Sequence, residues 1–207
     1  MDQSYSMRNS SIISSPILLT ATYDGRIISW NTSSPVWRPE KEVPGQKDLA
    51  VNRLTISEDG RLVGVATSSG IKIYDFPTFE VLLNQDERSN ATSIGFPLMT
   101  EFVYYSLESG LLCMYDLNAK VRTVLHTEIS DINCSELSPN QTDIYFGDSS
   151  GSVKCVDVNT KKLKWSSSGT KNVAVRALAV SATGNIFAVG DSVGDLFWWL
   201  LIEDDVS

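Results

Sequence analysis

The chain is expected to be all-β, a stack of repeated four-stranded antiparallel sheets arranged as a propeller. Three observations carry that expectation. Turn glycines recur at Gly25, Gly70, Gly110, Gly151 and Gly194, spaced 45, 40, 41 and 43 residues apart. The segments VNRLTIS (51–57), ATSIGFP (91–97), INCSELS (132–138) and VRALAVS (175–181) recur in a second register, offset by 40, 41 and 43 residues. Seven of the eight residues at their fourth and sixth positions are apolar, the alternation of a strand with one buried face. Finally, Ile132 to Val158 contains strand, Ser-Pro-Asn-Gln turn, strand, Asp-Ser-Ser-Gly turn and strand in succession, most of one unit.

A period of ~40–45 residues with four short strands per unit is the signature of WD-repeat propeller blades. A single blade cannot bury both faces, so neighbours stack and share a core. The blades are expected at about 16–45, 49–87, 89–127, 130–170 and 173–201, after an N-terminal tail or partial strand at 1–15. The third strand of each carries one bulky residue, Trp30, Tyr74, Tyr115, Val156 or Trp199, expected to fill the wedge between blades. Asp75, Asp116 and Asp157 follow three of them. No Gly-His pair precedes a first strand and no Trp-Asp dipeptide occurs, so the usual buried His–Ser–Trp–Asp network has no counterpart. Stability is therefore expected to rest on interblade packing, with the four aromatics leading.

The ends are irregular. Repeat one begins at Pro16 with its second strand, and Ser11–Ser15 could supply one missing strand. Repeat five stops after its third strand at WWLLIEDDVS. An open or incomplete ring is expected, or a chain shortened from a longer parent.

The formal charge of −8 and pI near 4.6 argue against a nucleic-acid or anionic-membrane surface, which needs clustered cations. Lys161, Lys162 and Lys164 form one short basic run, read as a solvated turn and outer strand. No segment approaches the ~18 continuous apolar residues of a membrane span, and serines and a proline break up the N-terminal apolar pairs. Cys113, Cys134 and Cys155 read as small buried hydrophobes in a reducing compartment, which points to a cytoplasmic or nuclear address.

Catalytic or cofactor chemistry has little to stand on. The lone His126 excludes a His-based metal cluster, and Cys-x-x-Cys, phosphate-loop and nucleophile-elbow motifs are missing. The carboxylate runs Asp86-Glu87 and Glu203-Asp204-Asp205 read as solvated. No catalytic, cofactor or metal residues are assigned, and a propeller enzyme with an axial carboxylate is the weakest alternative.

The stretches IxxSPILLTATYDGRIISWN (12–31), VNRLTIS (51–57), SSGIKIYDF (68–76) and INCSELSPNQTDIYFGDSSGSVKCVDV (132–158) resemble the small WD-repeat subunit of target-of-rapamycin kinase complexes, the Lst8/GβL type. Ile132-Asn133-Cys134, the Pro139-Asn140-Gln141 turn and Gly147-Asp148 to Gly151 are its most specific pieces. The resemblance covers roughly 12–199 and implies the first five of seven blades, the last two being absent. It implies a non-catalytic, cytoplasmic scaffold subunit that docks on and stabilises a large phosphatidylinositol-kinase-related kinase. A generic WD-repeat adaptor in another assembly is the alternative.

In a blade, the loop before the first strand and the hairpin between second and third strands share one rim. That places Tyr23, Asp24, Asn52, Asn90, Asp131, Asn133, Asp148, Lys171, Arg176 and Asp191 on a candidate protein-binding rim. Tyr23 and Arg176 lead, since aromatic and Arg side chains dominate interface energetics.

Overall fold

The computed structural model describes residues 16–46, 49–99, 101–168 and 172–200. Lys171 and the segment 1–15, including the expected strand at Ser11–Ser15, lie outside them. Among the described residues, strands follow one another in antiparallel sheets and no helix occurs.

Blade 1 has three strands, β1 (Ile17–Ala21), β2 (Ile27–Asn31) and β3 (Arg38–Val43). Blade 2 comprises β4 (Val51–Ile56), β5 (Leu62–Thr67), β6 (Gly70–Asp75) and β7 (Val81–Asp86). Blade 3 comprises β8 (Ala91–Gly95), β9 (Phe102–Leu107), β10 (Leu111–Asp116) and β11 (Val121–Thr127). Blade 4 comprises β12 (Ile132–Leu137), β13 (Asp143–Asp148), β14 (Ser152–Asp157) and β15 (Leu163–Ser168). Blade 5 has β16 (Val175–Val180), β17 (Ile186–Asp191) and β18 (Leu196–Leu200).

The first strands β4, β8, β12 and β16 neighbour one another in turn, so they line the axis. Among the described residues the sheets form an open arc rather than a closed ring: β1 pairs only with β2, and β18 only with β17. The recurring glycines close the hairpins between second and third strands. At Gly110 φ is +82° and a Cβ would sit 2.3 Å from the Glu128 carbonyl oxygen, so only glycine fits.

The core lies between blades. Ile27 packs on Val63, Val65 and Tyr74 at the first junction, and Ile71 and Ile73 pack with Val103, Tyr105 and Tyr115 at the second. Phe146 and Val156 meet Tyr104 and Leu112 at the third, and Tyr145 and Cys155 meet Phe187 and Val189 at the fourth. Tyr74, Tyr115 and Val156 are buried as expected of wedge residues, whereas Trp30 and Trp199 are only half-buried. Trp30 lies on the side of β2 turned away from blade 2, and no blade covers it among the described residues. Its indole N–H donates to Thr20 at 2.8 Å instead. The largest fully buried side chains are Tyr105, Phe146 and Phe187, all on second strands. Dominance therefore shifts from the third-strand aromatics to the second strand. At the far end Trp198 is 71% exposed on the side of β18 turned away from blade 4.

Candidate functional site

The rim is built from a repeated clasp. Each first strand bulges at its second residue: the pairing slips between Val51 and Arg53, Ala91 and Ser93, Ile132 and Cys134, and Val175 and Ala177. A bulge re-aims the extra side chain, and here it points to the next blade. Asn52 donates to the Ala91 carbonyl at 2.9 Å, Thr92 to Ile132 at 2.7 Å and Asn133 to Val175 at 2.9 Å. Each acceptor is the opening residue of the next first strand. Arg176, the fourth in the series, is exposed and makes no hydrogen bond or ion pair among the described residues.

A second device replaces the missing His–Ser–Trp–Asp network. Gln46, Glu87 and Glu128 stand 41 residues apart in successive interblade linkers. Lys72 donates to Gln46 at 2.7 Å. Glu87, far from solvated, is 7% exposed at its side chain, accepts from the Tyr105 hydroxyl at 2.5 Å and pairs with Arg122 at 2.9 Å. Lys154 bridges Glu128 at 2.6 Å and the fully buried Asp148 at 3.3 Å. Burial alone would raise the Glu128 carboxyl, but bonds from Lys154, the Ile129 N–H and His126 outweigh it and hold the pKa below its ordinary value.

These contacts divide the expected rim residues. Asn52 and Asn133 are spent on clasps. Asp148 organises its own hairpin, accepting from the Ser150 and Ser152 N–H groups at 2.9 Å, and Asp191 does the same with Val193 and Asp195. Asp24 is held by Thr22 and Arg26, and its carboxyl is lowered chiefly by the Thr22 hydroxyl. Asn90 bonds Glu108. Tyr23, Asp131 and Arg176 remain, all exposed and with side chains unengaged among the described residues. Sequence reasoning missed Ile129 and Val193. Ile129 is 101% exposed in the linker before β12 and Val193 68% exposed in the β17–β18 hairpin, both on this rim. Their signal was an aliphatic residue inside the polar segments TEISD and DSVGD. Together with Tyr23, 85% exposed, they give the rim the apolar points that a protein partner buries.

Along the axis, Arg53 and Glu136 line an open cleft. Burial raises the Glu136 carboxyl above its ordinary value, and the Arg53 charge only partly offsets this. Among the described residues no group of three or more His, Cys, Asp or Glu side chains is placed to hold a metal, and no helix is long and apolar enough to cross a membrane.

The arc is that of a WD-type propeller. It superposes on the β-propeller domain of Myceliophthora thermophila Cps50 (Swd1) with a TM-score of 0.81 at 13% identity, over 93% of this chain and 64% of that one. In sequence, the chain is similar to subunits of target of rapamycin complexes. It is 23% identical over 192 residues to the subunit wat1 of Schizosaccharomyces pombe, covering 91% of this chain and 60% of the relative. Against LST8-1 of Arabidopsis thaliana it is 26% identical, over 91% of this chain and 62% of the relative. The Bos taurus LST8 subunit is 24% identical over 200 residues, 92% of this chain and 60% of its own length. The chain thus spans about three-fifths of the length of the curated relatives it matches. No protein-family model matches it.

Proposed function

We propose that this chain is a non-catalytic scaffold subunit of a target-of-rapamycin kinase complex, acting in the cytoplasm by docking on the kinase domain and stabilising it. The observation that carries this reading is the similarity to subunits of such complexes over about nine-tenths of the chain. A stack of clasped sheets supports it in a second way: it offers a rigid rim, and a rigid surface loses little entropy on binding. Tyr23, Ile129, Arg176 and Val193 are the docking points in this reading, with Asp131 at their polar margin.

Affinity purification of the tagged chain followed by mass spectrometry is the test. A target-of-rapamycin-type kinase is expected among the captured proteins, and Tyr23→Ala with Arg176→Ala should weaken its binding at least about thirtyfold, the effect of losing an interface hot spot of about 2 kcal/mol. Capture of a different assembly without such a kinase would favour the generic adaptor.

A further inference from the structure

A cavity of about 490 Å³ lies between blades 4 and 5 on the side opposite the rim, within the size range of small-molecule sites. The β12–β13 turn at Pro139 and the β16–β17 turn at Gly184 roof it. Its wall holds an ion pair that departs from the repeat. Asp143 is 6% exposed, and Lys164 donates to both its carboxylate oxygens at 3.0 and 2.9 Å. The opening residue of the second strand is Leu62 in blade 2, Phe102 in blade 3 and Ile186 in blade 5. Lys164 likewise follows the partner of Val156, the register position of Leu82 in blade 2. Asp143 therefore stands where the other blades carry an apolar residue, and Lys164 stands at a position filled by Glu40 in blade 1, Leu82 in blade 2 and Thr123 in blade 3, so the pair is particular to blade 4 and stacking does not require it. A paired buried charge is also a weak stabiliser compared with apolar residues of similar size.

The second unusual group is Tyr145, 5% exposed, with its ring against Trp165 and Phe187. Its hydroxyl has no hydrogen-bond partner among the described residues, yet it is not one of the polar atoms sealed from solvent. The surface it keeps opens into this cavity. The remaining polar side chains are Ser138, Asn140, Thr183 and Asn185, and the two hydroxyls are engaged within their own turns. Asn140 spends its Oδ1 on Ser138 and Thr142, and Asn185 spends its Oδ1 on Ser181 and Thr183, which leaves both amide NH2 groups uncommitted. With the Asp143 charge matched by Lys164, the cavity offers a third ammonium proton, a phenol and two amides to an acceptor. Trp165 lines the same space.

We propose that this cavity binds a carboxylate carried on an apolar or aromatic body, the acid taken by Lys164, Tyr145 and the two asparagine amides and the body lying on Trp165. The same chemistry is presented by a small organic acid and by the free C-terminus of a peptide. The probes are N-acetyl-L-phenylalanine, its uncharged amide, and one short peptide ending in Phe with a free or amidated terminus, titrated calorimetrically into the full chain. The acid forms are expected to bind at least about tenfold more tightly than the amides, since a charge-assisted bond contributes of that order. The double variant Asp143→Leu/Lys164→Leu, which copies blade 2, should abolish that preference with an unchanged thermal midpoint. Tyr145→Phe should weaken the acids at least threefold. Tighter binding of the peptide assigns a protein terminus, tighter binding of the free acid a metabolite, and both support the site. Equal affinity for acid and amide, no binding of either, or a preference that survives in the double variant overturns it.

Discussion

Asn133 donates its side-chain N–H to the carbonyl of Val175 across the gap between two blades, at 2.9 Å. The bond works because a bulge lifts Asn133 out of the strand alternation of β12 and turns it toward β16. Asn52 and Thr92 repeat it at the two preceding junctions. The stack is thus fastened at its axis by side chain to backbone bonds as well as by apolar contact.

Removing one clasp strands a carbonyl between blades. Asn133→Ala, and Thr92→Val with shape conserved, should each cost about 1–2 kcal/mol, the usual cost of an unmet buried acceptor. Urea midpoints at constant slope measure this. Arg176→Ala, with no partner to lose, should change stability by less than about 0.5 kcal/mol.

The linker acids give the protein a defined pH response. Glu128 has its folded-state pKa held below its ordinary 4.5, so the stability it contributes is complete above that value and is lost as pH falls through the folded pKa. Lys154 is the converse. Burial would lower it, but Glu128 and Asp148 outweigh burial and raise it above 10.5, so its contribution is present below 10.5 and lost as pH rises through the folded pKa. Glu136 carries a raised carboxyl and therefore a penalty at neutral pH. Glu136→Gln should stabilise the fold at pH 7, with the gain vanishing below about 4.5, its ordinary value. Chemical denaturation at stepped pH reads all three.

Burial sets the chemistry of the thiols. It pushes Cys113 and Cys134 up to about 11 and Cys155 up to about 12. None should react with an aromatic disulfide reagent at pH 8 in the native protein, and all three should react in denaturant. Rapid native labelling of any of them would contradict the interblade core.

Close packing at the last junction makes Gly147 a sensitive position. A Cβ there would lie 2.3 Å from Cγ1 of Val175. Gly147→Ala should destabilise by about 1–3 kcal/mol, and Val175→Ala in the same chain should recover part of the loss. A thermal melt of the single and double variants decides it.

The blade period was legible because one hairpin glycine per unit, from Gly25 to Gly194, takes the positive φ that glycine adopts without a Cβ penalty. The clasp was half legible. The second positions Asn52, Thr92, Asn133 and Arg176 keep the spacing, but a bulge has no sequence mark, so three of them read as free rim residues although Asn52 and Asn133 are engaged in clasps. Gln46, Glu87 and Glu128 also keep the spacing. Their partners stand 26 residues further on, in a third strand, at Lys72 and Lys154, but the middle junction uses Arg122 of a fourth strand, so the pattern is broken along the chain. Asp143 could have been found as an acid standing where Leu62, Phe102 and Ile186 stand. Lys164 concealed it by sitting in what read as an ordinary basic turn. Trp30 and Trp199 matched the wedge position, but lateral cover depends on neighbouring blades and not on the residue itself.

The reading as a kinase-complex subunit is tested most directly by mixing the purified chain with a purified target-of-rapamycin-type kinase and resolving the mixture by size-exclusion chromatography. Co-elution that persists in Asn90→Ala, where only a turn bond is lost, and fails in Tyr23→Ala/Arg176→Ala is the predicted result. Separate elution of the intact chain and the kinase would contradict it.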